Sequence, residues 1–328
     1  MEHPVTILYH GDCLDGFGAA YAAWRHYRSN AIYRPMHHGE HWNTDDVAGH
    51  EVFILDFSFP PAVLEEMARV ARSVTQIDHH ASALKEWSAI AQPDGEAYYY
   101  SHPALPLKIH FNLNKSGARL TWDYFHPETP TPLAIRHIED QDMWRFALAG
   151  TRPFCRALRL MPFDLERWHA LIVDTDNEST ERYVDMVKSG TAIETFFQRE
   201  IDGLAQGSLC GPARLRGEPV DALQALRHGQ AIVSSGDRSW LAVNGLAVNA
   251  NALFASDLGN LLAEKGASFG LIWQLSGDGE VKASLRSRGS SPDVSVIAAR
   301  YGGGGHPNAA GFRLPARQFF SEVLGIEN

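Results

Sequence analysis

The stretch Ser73–His80 constrains this chain most. Its first five residues, Ser73-Val74-Thr75-Gln76-Ile77, read as a short buried strand, and Asp78-His79-His80 follow at once. Successive side chains on an extended backbone point to opposite faces, so a carboxylate and two imidazoles in a row cannot share one flat surface. They suit a cluster with divided tasks at a strand's end. A metal site would give each a task, with one imidazole as ligand, the Asp orienting a ring from behind and the other imidazole facing substrate. A histidine pair on a solvated loop is the plain alternative, and the rest of the chain weighs against it.

Two earlier segments repeat the pattern. Val5-Thr6-Ile7-Leu8-Tyr9 has the β-branched and aromatic content of a strand and runs into His10-Gly11-Asp12-Cys13-Leu14-Asp15-Gly16. Phe17 to Arg28, rich in Ala and aromatic residues, reads as a helix, so the chain opens as an α/β unit. Glu51-Val52-Phe53-Ile54-Leu55 is a second strand, ending on Asp56, and Pro61 to Arg72 follows as a helix. One strand-end Asp is commonly a turn former or helix cap. Three successive strands ending on Asp or His are poorly explained that way, whereas open parallel sheets carry their ligands at strand ends.

At 328 residues the chain is expected to form two domains, and 45% hydrophobic against 21% charged residues supports folded cores. No apolar run approaches membrane-spanning length, and Met1-Glu2-His3-Pro4 lacks a basic region followed by an apolar one. Cys13, Cys155 and Cys210 are too scattered for a disulfide framework and fit a reducing cytoplasm. A net charge of −10 argues against wrapping long duplex nucleic acid, which needs many Lys and Arg. A small anionic substrate in a local positive pocket remains compatible with it.

His10…Asp15-Gly16, the strand-ending Asp56 and Asp78-His79-His80, in this order, resemble the motifs of the DHH phosphoesterase superfamily. That group includes exonucleases, oligoribonucleases, cyclic-dinucleotide phosphodiesterases, exopolyphosphatases and family II pyrophosphatases. Its fourth motif is a helical carboxylate, for which Leu133–Trp144 offers Asp140 and Asp142. Two positions apart on a helix face about 200° apart, so one of them looks into the site. The family's pattern of a small residue and an aromatic after the Asp favours Asp142. His37, His38 and His41 sit in a loop-like setting and read as supporting or solvated. Ser116 reads as the N-cap of a helix, with phosphate binding at that helix start as the alternative.

From Asp176 to Gln206 apolar residues fall at helical spacing among charges, which reads as a connector. Beyond it come strand signals at 231–233 and 240–243, and a helix from Asp257 to Lys265 stopped by Gly266. A hairpin turns on Ser276–Glu280, and a further helix spans Pro292–Tyr301. The run Gly302-Gly303-Gly304-Gly305-His306 resembles the glycine-rich motif of the DHHA1 domain, and Ser284-Leu285-Arg286-Ser287 resembles its substrate-contacting strand. Glycine amides can cradle an anion as a nest, and a planar Arg fork matches paired phosphate oxygens.

The resemblance implies a two-domain α/β architecture. A parallel-sheet DHH domain spans 1–175, a helical linker 176–206 and a smaller α/β DHHA1 domain 207–328. It implies that Asp15, Asp56, His79 and Asp142 surround one Mn²⁺ or Mg²⁺, and that His10, Asp12 or Cys13, and a shared Asp56 hold a second. Asp78 orients an imidazole, and His80 contacts the scissile phosphate. Arg286, Gly303, Gly304, Gly305 and His306 bind substrate. Metal-activated water then cleaves short oligonucleotides, linear dinucleotides or short-chain polyphosphate. The chain departs from the family pattern at Cys13, where many relatives carry a second Asp. A neutral thiol is a poor ligand for a hard cation, so one tight metal position and a weaker second are expected. The same departure favours the alternative of a noncatalytic nucleotide-binding module that kept the fold.

Overall fold

The computed structural model describes residues 3–326 apart from 12, 38, 208–209, 266–267 and 290–291. The chain divides into two compact units, Met1–Thr195 and Phe196–Asn328.

The first unit is built on strands β1 (Val5–His10), β2 (Ala31–Met36), β3 (Glu51–Leu55), β4 (Ser73–Asp78), β5 (Gln92–Asp94), β6 (Ala97–Ser101) and β7 (Leu107–Asn112), in the order β2-β1-β3-β4-β7-β6-β5. The first five in that order run parallel, and β6 and β5 complete the edge antiparallel. Helices α1 (Leu14–Tyr27), α2 (Thr44–Val47), α3 (Pro61–Val70) and α4 (Ala81–Trp87) connect them. Five more follow: α5 (Gly117–Phe125), α6 (Leu133–Asp142), α7 (Thr151–Leu158), α8 (Leu165–Asp174) and α9 (Glu181–Gln206).

Both faces of this sheet are covered, which is why its strands read as near-continuous apolar runs. Ile7, Phe53, Leu55 and Ile77 pack with Phe17, Tyr21, Trp122, Ile135, Phe154 and Trp168 on one side. Leu8, Val52, Ile54, Val74, Ile109 and Phe111 pack with Leu64, Met67 and Trp87 on the other. Register then fixes the site. Tyr9, Leu55 and Ile77 share one row across β1, β3 and β4, so His10, Asp56 and Asp78 follow at the carboxyl edge. The strand order also reverses beside β1, the kind of switch point where doubly wound sheets open a crevice.

The second unit contains β8 (Cys210–Pro219), α10 (Ala222–Arg227), β9 (Ile232–Ser235), β10 (Arg238–Asn249), α11 (Ala255–Glu264), β11 (Gly270–Leu275), β12 (Glu280–Arg286), α12 (Val294–Ala299), β13 (Gly304–His306) and β14 (Ala309–Pro315). Its sheet runs β13-β14-β12-β11-β10-β8, with β9 beside β10. The hairpin read from the sequence is β11–β12. Leu215, Phe269, Leu271, Leu285, Ile297, Phe312 and Phe319 form its core. Gly266, expected to stop α11, lies outside the described residues.

Two readings need adjustment. The segment 240–243 is the middle of a twelve-residue strand, β10. The connector helix begins at Glu181, and the division between the two units falls inside it, between Thr195 and Phe196.

Candidate metal centre

Asp56 stands between two sets of donor atoms. Its Oδ2 lies 3.5 Å from Cys13 Sγ and 3.6 Å from His10 Nδ1, which are themselves 3.2 Å apart. Its Oδ1 lies 3.1 Å from His79 Nε2, and that nitrogen is 3.6 Å from one oxygen each of Asp15 and Asp142. In each set, His10–Cys13–Asp56 and Asp15–His79–Asp142, the donor atoms lie within 4.8 Å of one another. The backbone at Asp56 has φ 52°, in the left-handed region that a non-glycine residue adopts at a cost of about 1–3 kcal/mol. Strain of that kind persists where the surroundings over-determine a position.

The surroundings are built for close approach. A Cβ added at Gly117 would stand 2.4 Å from the Asp56 Cβ, and one at Gly16 would stand 2.1 Å from the His10 carbonyl oxygen. Asp15, on the first turn of α1, accepts hydrogen bonds from the Gly117 and Ala118 amides at 2.6 and 3.0 Å. Ser116 caps α5 by accepting from the Arg119 amide at 3.3 Å, as the sequence suggests. The anion at that helix start is therefore Asp15. Asp78 accepts from the His79 amide at 2.7 Å, from His80 Nδ1 at 2.6 Å and from the Ser58 hydroxyl. The ring it orients is His80, which is 25% exposed while Asp78 is fully buried. Ser58 carried no signal in the sequence beyond its place between Asp56 and the helix that follows.

The electrostatics are those of crowded carboxylates. Burial, then the charges of Asp56 and Asp142, push Asp15 well above the usual carboxylate range. Burial would raise Asp56 too, but hydrogen bonds from His10 and His79 hold it low. Asp78 is likewise held at about 2 against its burial, chiefly by His80. His79 resists burial and sits well above its ordinary range because Asp56, Asp142 and Asp15 surround it. Burial and the neighbouring carboxylates raise Cys13 well above a free thiol.

These residues fit a divalent cation. Asp56 Oδ1 is buried, with His79 Nε2 3.1 Å away. Three carboxylates crowd one imidazole where Asp15 and Asp56 are each only 2% exposed, and burial with mutual repulsion raises Asp15. A divalent ion relieves that repulsion.

The structure thus brings His10, Cys13, Asp15, Asp56, His79 and Asp142 together, with Asp78 and His80 alongside. Asp12 and His38 lie outside the described residues. His37 packs its ring against Gly11 at the mouth of the β1 loop, and His41 is exposed. Asp140 serves elsewhere. It is buried and accepts from the Ala147 and Leu148 amides at 2.8 and 3.0 Å and from the Thr151 hydroxyl, pinning the turn that follows α6.

In the second unit, Arg286 is partly buried. It donates to the Leu285 carbonyl and the Ser256 hydroxyl, both at 2.8 Å, and burial lowers it to about 10 although Asp257 opposes. The glycine run also departs from an open nest. The Gly302 and Gly303 amides donate to the Ala299 and Ala298 carbonyls, and Gly304–His306 pair with β14. A Cβ at Gly303 would lie 2.0 Å from the Gly311 oxygen, and Gly302 and Gly305 have φ of 79° and 140°. These glycines permit a tight strand crossing.

Comparison with known proteins adds the following. The family model described as the DHHA1 domain matches residues 245–325. Uncharacterized protein R106 of Acanthamoeba polyphaga mimivirus is 29% identical over 323 residues, covering 93% of this chain and 66% of its own length. The chain thus spans about two thirds of the length of that curated relative. Among solved structures, the pGpG-specific phosphodiesterase PggH of Vibrio cholerae is similar at 12% identity and a TM-score of 0.43, covering 96% of this chain and 94% of that one. An exopolyphosphatase-related protein from Bacteroides fragilis is similar at 13% identity and a TM-score of 0.41, covering 94% and 86%. The second unit thus carries a match to the DHHA1 domain, and the aspartate–histidine cluster at the strand ends of the first is consistent with the DHH/DHHA1 superfamily.

Proposed function

We propose that the chain is a metal-dependent phosphohydrolase acting on short oligonucleotides, linear dinucleotides or short-chain polyphosphate. The observation that carries this reading is Asp56, one buried carboxylate turned toward two donor sets at once. Asp15, Asp56, His79 and Asp142 would hold one Mn²⁺ or Mg²⁺, and His10, Cys13 and Asp56 a second. Bound there, the cations would make water nucleophilic near neutral pH and neutralise phosphoryl charge.

The chain's own groups do the positioning. The α5 amides hold Asp15, so that carboxylate cannot swing away when charge nearby changes. Asp78 fixes Nδ1 of His80, which leaves Nε2 at the opposite end of the ring. Burial opposes its protonation, but Asp78 raises His80 above its ordinary range, so a cationic ring can donate to a phosphate oxygen. Arg286, Gly304, Gly305 and His306 are proposed to bind substrate phosphate. A module that binds nucleotide without turnover is the second reading, and Cys13 favours it.

The test is a turnover panel with and without Mn²⁺, comparing a linear dinucleotide, a short RNA, a short DNA and short polyphosphates. The proposal expects Mn²⁺-dependent hydrolysis of at least one, abolished by chelation. Binding without hydrolysis of any would overturn it.

A further inference from the structure

We propose that the two metal positions differ in chemical preference. His10, Cys13 and Asp56 take a softer, thiolate-accepting divalent ion such as Zn²⁺ or Co²⁺, while Asp15, Asp56, His79 and Asp142 take a harder one such as Mn²⁺ or Mg²⁺. This rests on reading the cluster as a metal centre.

The first set offers one sulfur, one imidazole nitrogen and one carboxylate oxygen, separated by 3.2, 3.5 and 3.6 Å. A tetrahedral zinc with bonds of about 2.3 Å to sulfur and about 2.0–2.2 Å to nitrogen and oxygen sets its donors about 3.4–3.6 Å apart. The triangle therefore already has the size of one coordination face. The second set contains only oxygen and imidazole. Thiolate selects soft ions, whereas carboxylates suit hard ones, so the sulfur divides the two positions.

Burial and the surrounding carboxylates favour the neutral thiol, and the start of α1 is the feature that opposes them. Cys13 is the N-cap of the fourteen-residue α1, and its Sγ accepts from the Gly16 amide at 3.2 Å. The positive end of that helix thus points at the atom that becomes charged. On binding, the S–H bond breaks, its proton leaves to water, and sulfur's electron pair forms the bond to the ion. No oxidation state changes. Because Asp56 contributes one oxygen to each set, filling one position alters the field at the other.

The experiment titrates the metal-free full chain with Co²⁺ and follows its absorption. Sulfur-to-cobalt charge transfer gives an intense near-ultraviolet band that oxygen and nitrogen ligands do not. The wild type should develop that band to one equivalent while a second Co²⁺ binds without adding to it. C13S should lose the band and keep the other equivalent. Zn²⁺ should erase the band at a concentration at least about tenfold below that of Mn²⁺. C13D, checked for folding by circular dichroism, should reverse that preference and serves if C13S fails to fold. Two bound Co²⁺ without the band, or a band unchanged in C13S, would overturn the inference and leave the metal-centre reading standing. Failure of Co²⁺, Zn²⁺ and Mn²⁺ to bind at all would overturn both.

Discussion

Buried polar groups with assigned partners make sharp predictions, and His137 is one. It is fully buried, with Nδ1 2.9 Å from the Thr151 hydroxyl and Nε2 3.1 Å from Tyr183 Oη. Thr151 gives its only proton to Asp140, so it must accept from His137 Nδ1, and the neutral ring then accepts from Tyr183. Burial lowers His137 to about 4, although Asp140 pulls the other way. Above the unfolded value of about 6.5 neither state is protonated. As pH falls from there to about 4 the unfolded chain takes up the proton first, so stability declines, by about 3 kcal/mol in all. Denaturant melts of wild type and His137→Asn across that window check it. The variant should be less stable near neutrality and lose less on acidification. Arg286 makes a different prediction. Arg286→Ala should raise KM by the loss of about 2 kcal/mol in phosphate binding, with kcat changed less. An unchanged KM for every substrate would remove it from the site.

At the scale of elements, α6 separates two aspartates that the sequence left in competition. Asp140 is tied to the turn at 147–151, whereas Asp142, on the last residue of the helix, is 33% exposed and reaches His79. Asp140→Asn should therefore destabilise the fold, by about 3 kcal/mol, because three donors lose a charged acceptor. Asp142→Asn should spare stability and lose hydrolysis. Thermal melts and turnover measured on both variants distinguish these outcomes. The strand-end residues were legible because apolar runs mark strands and each run stopped on a ligand-type side chain. The partners that hold them were not. Ser58 and the α5 amides approach Asp78 and Asp15 only through tertiary packing, and Gly117 is required by its contact with Asp56, 61 positions away in the chain. The glycine run at 302–305 was legible as a motif, but its strand pairing was not. Backbone pairing with β14 is a long-range fact that local composition does not carry.

For the whole molecule, the centre lies in the first unit and crowds its carboxylates around one imidazole. Metal binding should then stabilise that unit. At a free Mn²⁺ concentration about a hundredfold above Kd the gain is about 2.7 kcal/mol, which for a unit of this size raises Tm by about 5–10 °C. Chelation should reverse it, and differential scanning calorimetry would show the shift in one transition. No helix among the described residues is long and apolar enough to cross a membrane. The central claim is that Asp56 and His79 perform metal-dependent phosphohydrolysis. Its most direct test is turnover of the best substrate from the panel by wild type, Asp56→Asn and His79→Ala at saturating Mn²⁺, with circular dichroism on each. The account predicts a loss of at least about a thousandfold in both variants, with the fold retained. Most of the wild-type turnover surviving in folded His79→Ala would contradict it.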